Sequence, residues 1–179
     1  LGDKVLVTGS GIIGLLSAAC AKAMGATYVA MTEVNDKRIN LAKKLSEADE
    51  IFDAKDPDVV NKLMKASKGG FDKVIECTAA EPAVNLAIDV LKYGGKMIFV
   101  GVTYKKVPFN ALNLVMKEIS MEGIFGASVV FDKVIELLSH NLFDVSKYIT
   151  KEIGLDEVQE AFEELHRGDS EQIKIVITP

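Results

Sequence analysis

Short apolar runs alternate along this chain with longer stretches in which apolar residues recur every three to four positions. The run Lys4-Val5-Leu6-Val7-Thr8 has the unbroken apolar character of a strand buried on both faces. Ile12, Leu15, Leu16, Ala19, Cys20 and Ala23 then follow at helical spacing, and Gly25 ends that helix. The rhythm repeats as a strand over 28–32, a charged amphipathic helix over 36–45 and a short strand over 50–52. A helix over 56–66 carries Val59, Val60, Leu63 and Met64, and a fourth strand covers 73–76. Pro82 suits a first helical turn, Val84, Ile88 and Leu91 continue it, and Gly94-Gly95 are expected to stop it. A fifth strand follows over 96–100, a short helix over 111–116 and a sixth strand near 119–125. Phe131, Val134, Ile135 and Leu138 mark one more helix. Beyond about Asp144 the rhythm changes to a strand over 148–153, a helix over 156–166 and a last strand over 173–177.

Six strands alternating with helices predict an α/β fold, a doubly wound six-stranded parallel sheet, because parallel neighbours need crossovers that cover both faces. The expected division is residues 1–143 as the sheet domain and 144–179 as a strand–helix–strand appendage. In such a sheet, ligands bind at the carboxyl ends of the strands, where strand order reverses.

Composition narrows the possible functions. The net charge of −5 and the lack of any basic run argue against a nucleic-acid partner. No apolar stretch reaches roughly 18 residues, so no membrane span is expected. The chain opens on Leu1 without a leader pattern, which is read as a fragment of a cytoplasmic protein. Cys20 and Cys77 are too few for a disulfide scaffold and suit structural thiols in a reducing cytoplasm. With His140 and His166 they are far apart in sequence and never at ligand spacing, so no metal site is expected.

The chemistry gathers between the first strand and the first helix. Gly9, Gly11 and Gly14 stand at G-x-G-x-x-G spacing in the strand–turn–helix context that gives this pattern meaning. Gly9 would allow the tight turn, Gly11 the close approach of a pyrophosphate, and Gly14 the packing of helix on strand. The amides of Ile12 and Ile13 would then meet the phosphates, with the helix dipole behind them. Glu33 closes the second strand nineteen residues after Gly14, beside Val34. A carboxylate there accepts from the adenosine ribose hydroxyls and repels a 2′-phosphate, favouring NAD over NADP. Lys37 and Arg38 would soften that preference, or Arg38 would stack on the adenine. Cys77, Thr78 and Ala79, at the end of the fourth strand, are expected to edge the adenosine half, and Gly101 and Val102 the nicotinamide half.

Rival chemistries lack their residues. No Tyr-x-x-x-Lys pair of a short-chain dehydrogenase is present: the fourth residues after the tyrosines are Thr32, Met97, Pro108 and Glu152. The Gly-Lys-Ser/Thr of a P-loop is missing, and Ile13 replaces the last glycine of a G-x-G-x-G methyltransferase turn. No catalytic residue is assigned.

The run from Asp3 to Gly14 resembles the zinc-type medium-chain alcohol dehydrogenases. Thr32-Glu33 with Asp36-Lys37-Arg38, Val74 through Ala83, Asn113 through Ile119, and Ile173 through Pro179 share that resemblance, nearest to the sorbitol/polyol and threonine dehydrogenase branch. It implies a Rossmann domain serving NAD-linked oxidation of a secondary alcohol to a ketone. It also implies that zinc and the proton relay lie in an amino-terminal catalytic domain absent from this chain, to which 144–179 would return. On that expectation the isolated chain holds NAD(H) without turning over alcohol. The family further implies a homo-oligomer paired through strand six, where Ile119, Met121, Ile124 and Phe125 make an apolar edge; the alternative is an edge covered by the helix of Phe131. A free-standing NAD(H)-sensing module remains open, as does, more distantly, a site for S-adenosylmethionine.

Overall fold

The computed structural model describes residues 1–126, 130–140, 144–167 and 170–179. Six strands, β1 (Lys4–Thr8), β2 (Tyr28–Glu33), β3 (Glu50–Asp53), β4 (Phe71–Glu76), β5 (Leu91–Phe99) and β6 (Ser120–Gly123), form one sheet in the order β3-β2-β1-β4-β5-β6. Every pairing is parallel. Strand order therefore reverses between β1 and β4, which opens a crevice at the carboxyl edge of the sheet.

Helices α1 (Ile12–Ala23), α2 (Asp36–Leu45), α3 (Val59–Ala66), α4 (Glu81–Val90) and α5 (Ala111–Lys117) connect the strands. Alternation along each strand divides the apolar side chains between two faces. Val5, Val7, Val29 and Met31 pack with Leu15 and Ala18 of α1 and Ala42 of α2. Leu6, Ala30, Val74 and Met97 belong to the opposite core, with Leu63 of α3 and Val84, Ala87 and Ile88 of α4. Burial on both faces is the reason the central strands carry unbroken apolar runs.

The doubly wound six-stranded sheet is as expected, with local differences. α4 ends at Val90, not at Gly94-Gly95: its cap residue Leu91 is already extended (ψ 141°) and starts β5 opposite Phe71. A register shift then separates that pair from Lys73 and Lys96, and Gly94 (φ 70°) lies in the extra backbone. The helix expected from Asp56 begins at Val59, because the Asp56 carboxylate accepts from the Asp58 amide (2.8 Å) and holds a turn there.

Past the sheet lie α6 (Phe131–Ser139), β7 (Ile149–Ile153), α7 (Val158–His166) and β8 (Lys174–Ile177). β7 and β8 pair as a separate parallel ribbon, so the strand–helix–strand appendage is present. A 3-10 turn, Ser146–Tyr148, buries the Tyr148 side chain in the core of α1 and α2. The expected boundary at 143 falls on residues 141–143, outside the described residues. Among the described residues no helix is long and apolar enough to cross a membrane.

Candidate functional site

β1 ends at Thr8, and the chain turns through Gly9 (φ 84°) into α1. The Gly9 amide donates to the Thr32 carbonyl (2.8 Å), tying the turn to β2. Gly11, the N-cap, offers no side-chain cap, and the first amides of a helix have no acceptor within it. A Cβ at Gly14 would stand 1.9 Å from the Gly9 carbonyl oxygen, so helix and turn approach only with glycine there. A Cβ at Gly11 would meet nothing within 4 Å. The turn thus leaves open space beside the amides of Ile12 and Ile13, a cradle suited to an anion.

Glu33, at the end of β2, is 7% exposed. Its Oε2 accepts from the Ser10 amide and the Ser10 hydroxyl, each at 2.9 Å. Its Oε1 accepts from the amides of Val34 (2.8 Å) and Asn35 (3.1 Å). Burial pushes the carboxyl up, but these donors outweigh it and hold Glu33 below its ordinary range. Asn35 also caps α2, accepting from the amides of Lys37 and Arg38. Arg38 is exposed on α2, and its carbonyl lies 3.4 Å from the Ser10 hydroxyl.

Gly9, Glu33, Val34 and Thr78 meet around a cavity of about 170 Å³, with Pro82 and Leu86 of α4 supplying apolar wall. Cys77 faces away: its Sγ lies 3.8 Å from Ser17 Oγ beneath α1, and burial pushes the thiol up to about 11. Ala79 adopts a left-handed conformation (φ 54°). Gly101 lies behind that bend, where a Cβ would come within 2.5 Å of the Ala79 amide nitrogen, and Val102 is 69% exposed beyond β5.

Three contributors were not found from sequence. Ser10 anchors Glu33. Glu76, wholly buried, accepts from Thr8 Oγ1 (3.2 Å), the Thr78 amide (2.8 Å) and hydroxyl, and the Ala79 amide (2.9 Å), shaping the bend beneath the glycine turn. Pro82, which suits a helix start, also lines the cavity. A carboxylate ending a strand just before Thr78 was the available signal for Glu76; Ser10 had none outside the fold.

A second cavity, about 460 Å³, lies between α1 and the sheet, lined mainly by apolar residues such as Leu16, Ile75, Ile98, Val100 and Ile124. At the β6 edge, Ile124 and Phe125 are 50% and 93% exposed, whereas Ile119 and Met121 pack against the core of α3 and α4. Among the described residues no group of three or more Cys, His, Asp or Glu is placed to hold a metal ion, so these residues do not fit a zinc site.

The profile of the zinc-binding dehydrogenase family matches residues 13–140. The L-threonine 3-dehydrogenase of Ruegeria pomeroyi is 34% identical over 178 residues, covering 97% of this chain and 51% of that protein. The crystal structure of 2R,3R-butanediol dehydrogenase from Bacillus subtilis superposes with a TM-score of 0.89 at 33% identity, covering 99% of this chain and 51% of that one. A zinc-binding dehydrogenase of Sinorhizobium meliloti, bound to NADP, gives 0.89 at 26% identity, over 99% and 53%. The chain spans about half the length of these relatives. It belongs to the zinc-binding dehydrogenase family, the zinc-type medium-chain alcohol dehydrogenases.

Proposed function

We propose that this chain binds NAD(H) as the cofactor-holding part of a dehydrogenase that oxidises a secondary alcohol or polyol to a ketone by hydride transfer. The open cradle at Gly11, beside the Ile12 and Ile13 amides, carries the reading. The pyrophosphate takes that cradle, the adenosine takes the cavity of Glu33, Val34, Thr78 and Pro82, and the nicotinamide lies toward Gly101 and Val102. Ala79 sets the bend between the two halves, and Cys77 supports it from below.

The dinucleotide held is NAD rather than NADP. A 2′-phosphate beside a buried, ionised Glu33 would face like-charge repulsion at low effective dielectric. In this reading the zinc of the relatives' family name is held by chain outside residues 1–179. In the same reading residues 1–143 hold the cofactor, 144–179 pack against that further part, and copies associate through β6, in the cytoplasm, where the free thiols Cys20 and Cys77 persist.

Calorimetry with NADH, NADPH and S-adenosylmethionine tests the assignment. NADH is expected to bind most tightly, and Glu33→Ala to narrow its lead over NADPH about tenfold, because the variant no longer repels the 2′-phosphate. Equal affinities for NADH and NADPH in the unmutated chain would overturn the role given to Glu33. A preference for S-adenosylmethionine would overturn the dinucleotide.

A further inference from the structure

Glu33 is fully subscribed by its own chain. A carboxylate offers about four lone-pair sites, and four donors occupy them: the amides of Ser10, Val34 and Asn35 and the Ser10 hydroxyl. A ribose hydroxyl arriving at Glu33 therefore displaces one of the four. The three amides are fixed by the glycine turn and the start of α2. The Ser10 hydroxyl is the rotor, because its hydrogen swings about a single bond. It also has a second acceptor, the Arg38 carbonyl oxygen at 3.4 Å. Ser10 is wholly buried, so a donor without an acceptor would be costly there. The Arg38 carbonyl removes that cost.

We propose that Ser10 is a placeholder for the cofactor's ribose: its hydroxyl fills Glu33 Oε2 in the empty site and turns to the Arg38 carbonyl when a ribose 2′-hydroxyl takes its place. Ser10 is then a positioning residue that acts through Glu33 and sets how strongly the site reads the 2′-hydroxyl. In the unmutated chain one hydrogen bond is exchanged for another, and the ligand hydroxyl gains little. With the Ser10 hydroxyl gone, a lone pair stands open and the ligand hydroxyl gains a full charge-assisted bond. The inference rests on the NAD(H) reading above.

The test measures dissociation constants of NADH and of its analogue lacking the adenosine 2′-hydroxyl, in the unmutated chain and in Ser10→Ala. The ratio of the two constants is expected to rise five- to tenfold in Ser10→Ala. A merely structural role for Ser10 would weaken both ligands alike and leave the ratio unmoved, which would overturn the proposal. Ser10→Cys, nearly the same size and a weaker donor, is expected to raise the ratio by a smaller factor, and decides the matter if the alanine chain does not fold. NADH binding that responds to Glu33→Ala, with a ratio indifferent to Ser10, would sink this inference and leave the NAD(H) reading standing. No NADH binding by the unmutated chain would overturn both.

Discussion

Glu33 lies at a junction of three segments, the glycine turn, the end of β2 and the start of α2, and its ionised form holds them together. Its carboxyl titrates below the ordinary glutamate range, so the folded chain binds that proton less readily than the unfolded chain. Such a group stabilises the fold fully above the unfolded value, about 4.3, and its contribution fades as pH falls through the lower folded value. Glu33→Gln is therefore expected to cost about 1–3 kcal/mol at pH 7. That deficit shrinks as pH drops below about 4.3. Urea unfolding of both chains from pH 7 to pH 3 measures it, and a deficit that stays constant to pH 3 would contradict the assignment. The same neighbourhood shows how far single residues are legible. Gly9, Gly11, Gly14 and Glu33 stand out by spacing alone. The partnership of Ser10 with Glu33 spans 23 positions, and that of Thr8 with Glu76 spans 68. Both arise from the lateral order of β1, β2 and β4, which no local pattern encodes.

Among the elements, α1 separates two kinds of glycine. Gly14 touches the backbone of the turn, whereas Gly11 borders open space. Gly14→Ala must push α1 off Gly9 and is expected to lose about 3 kcal/mol or more of stability, beyond ordinary overpacking. Gly11→Ala is expected to unfold within about 0.5–1 kcal/mol of the unmutated chain, the usual glycine-to-alanine scale, yet to weaken NADH binding at least tenfold by placing a methyl where the pyrophosphate sits. Thermal unfolding and calorimetry on the two variants check the contrast, and a reversed order would refute the cradle. Element types were legible here because buried parallel strands and amphipathic helices have different periods. Boundaries were less so. Leu91 satisfies the spacing of α4, but its pairing with Phe71 makes it a strand residue, 2% exposed.

At the scale of the molecule the two faces of the sheet are unequally covered. The core of α3 and α4 closes over one face, while the other leaves the cavity of about 460 Å³ over Ile75, Ile98 and Val100. α6 does not close it: Phe131 and Ile135 remain 61% and 59% exposed. Contiguous apolar surface of this kind takes up hydrophobic dyes. The native chain is expected to enhance anilinonaphthalene sulfonate fluorescence without denaturant, and Val100→Lys to reduce that enhancement while leaving circular dichroism intact. Fluorescence equal to that of the free dye would show the face to be closed. The β6 edge was only half legible: its apolar composition could be read, but the inward packing of Ile119 and Met121 follows from their alternation in a strand that is covered on one face.

The lateral order of the sheet also has a consequence in time. The neighbour of β1 on one edge, β2, is complete once Glu33 has been made, but its other edge waits for β4, which begins at Phe71. At about 5–20 residues per second of synthesis, that interval lasts several seconds. Until then the strand that carries the glycine turn can be bonded along one side at most. The strand that seats the nucleotide cradle thus precedes β4 in synthesis and gains its second neighbour only after that later part of the chain has emerged.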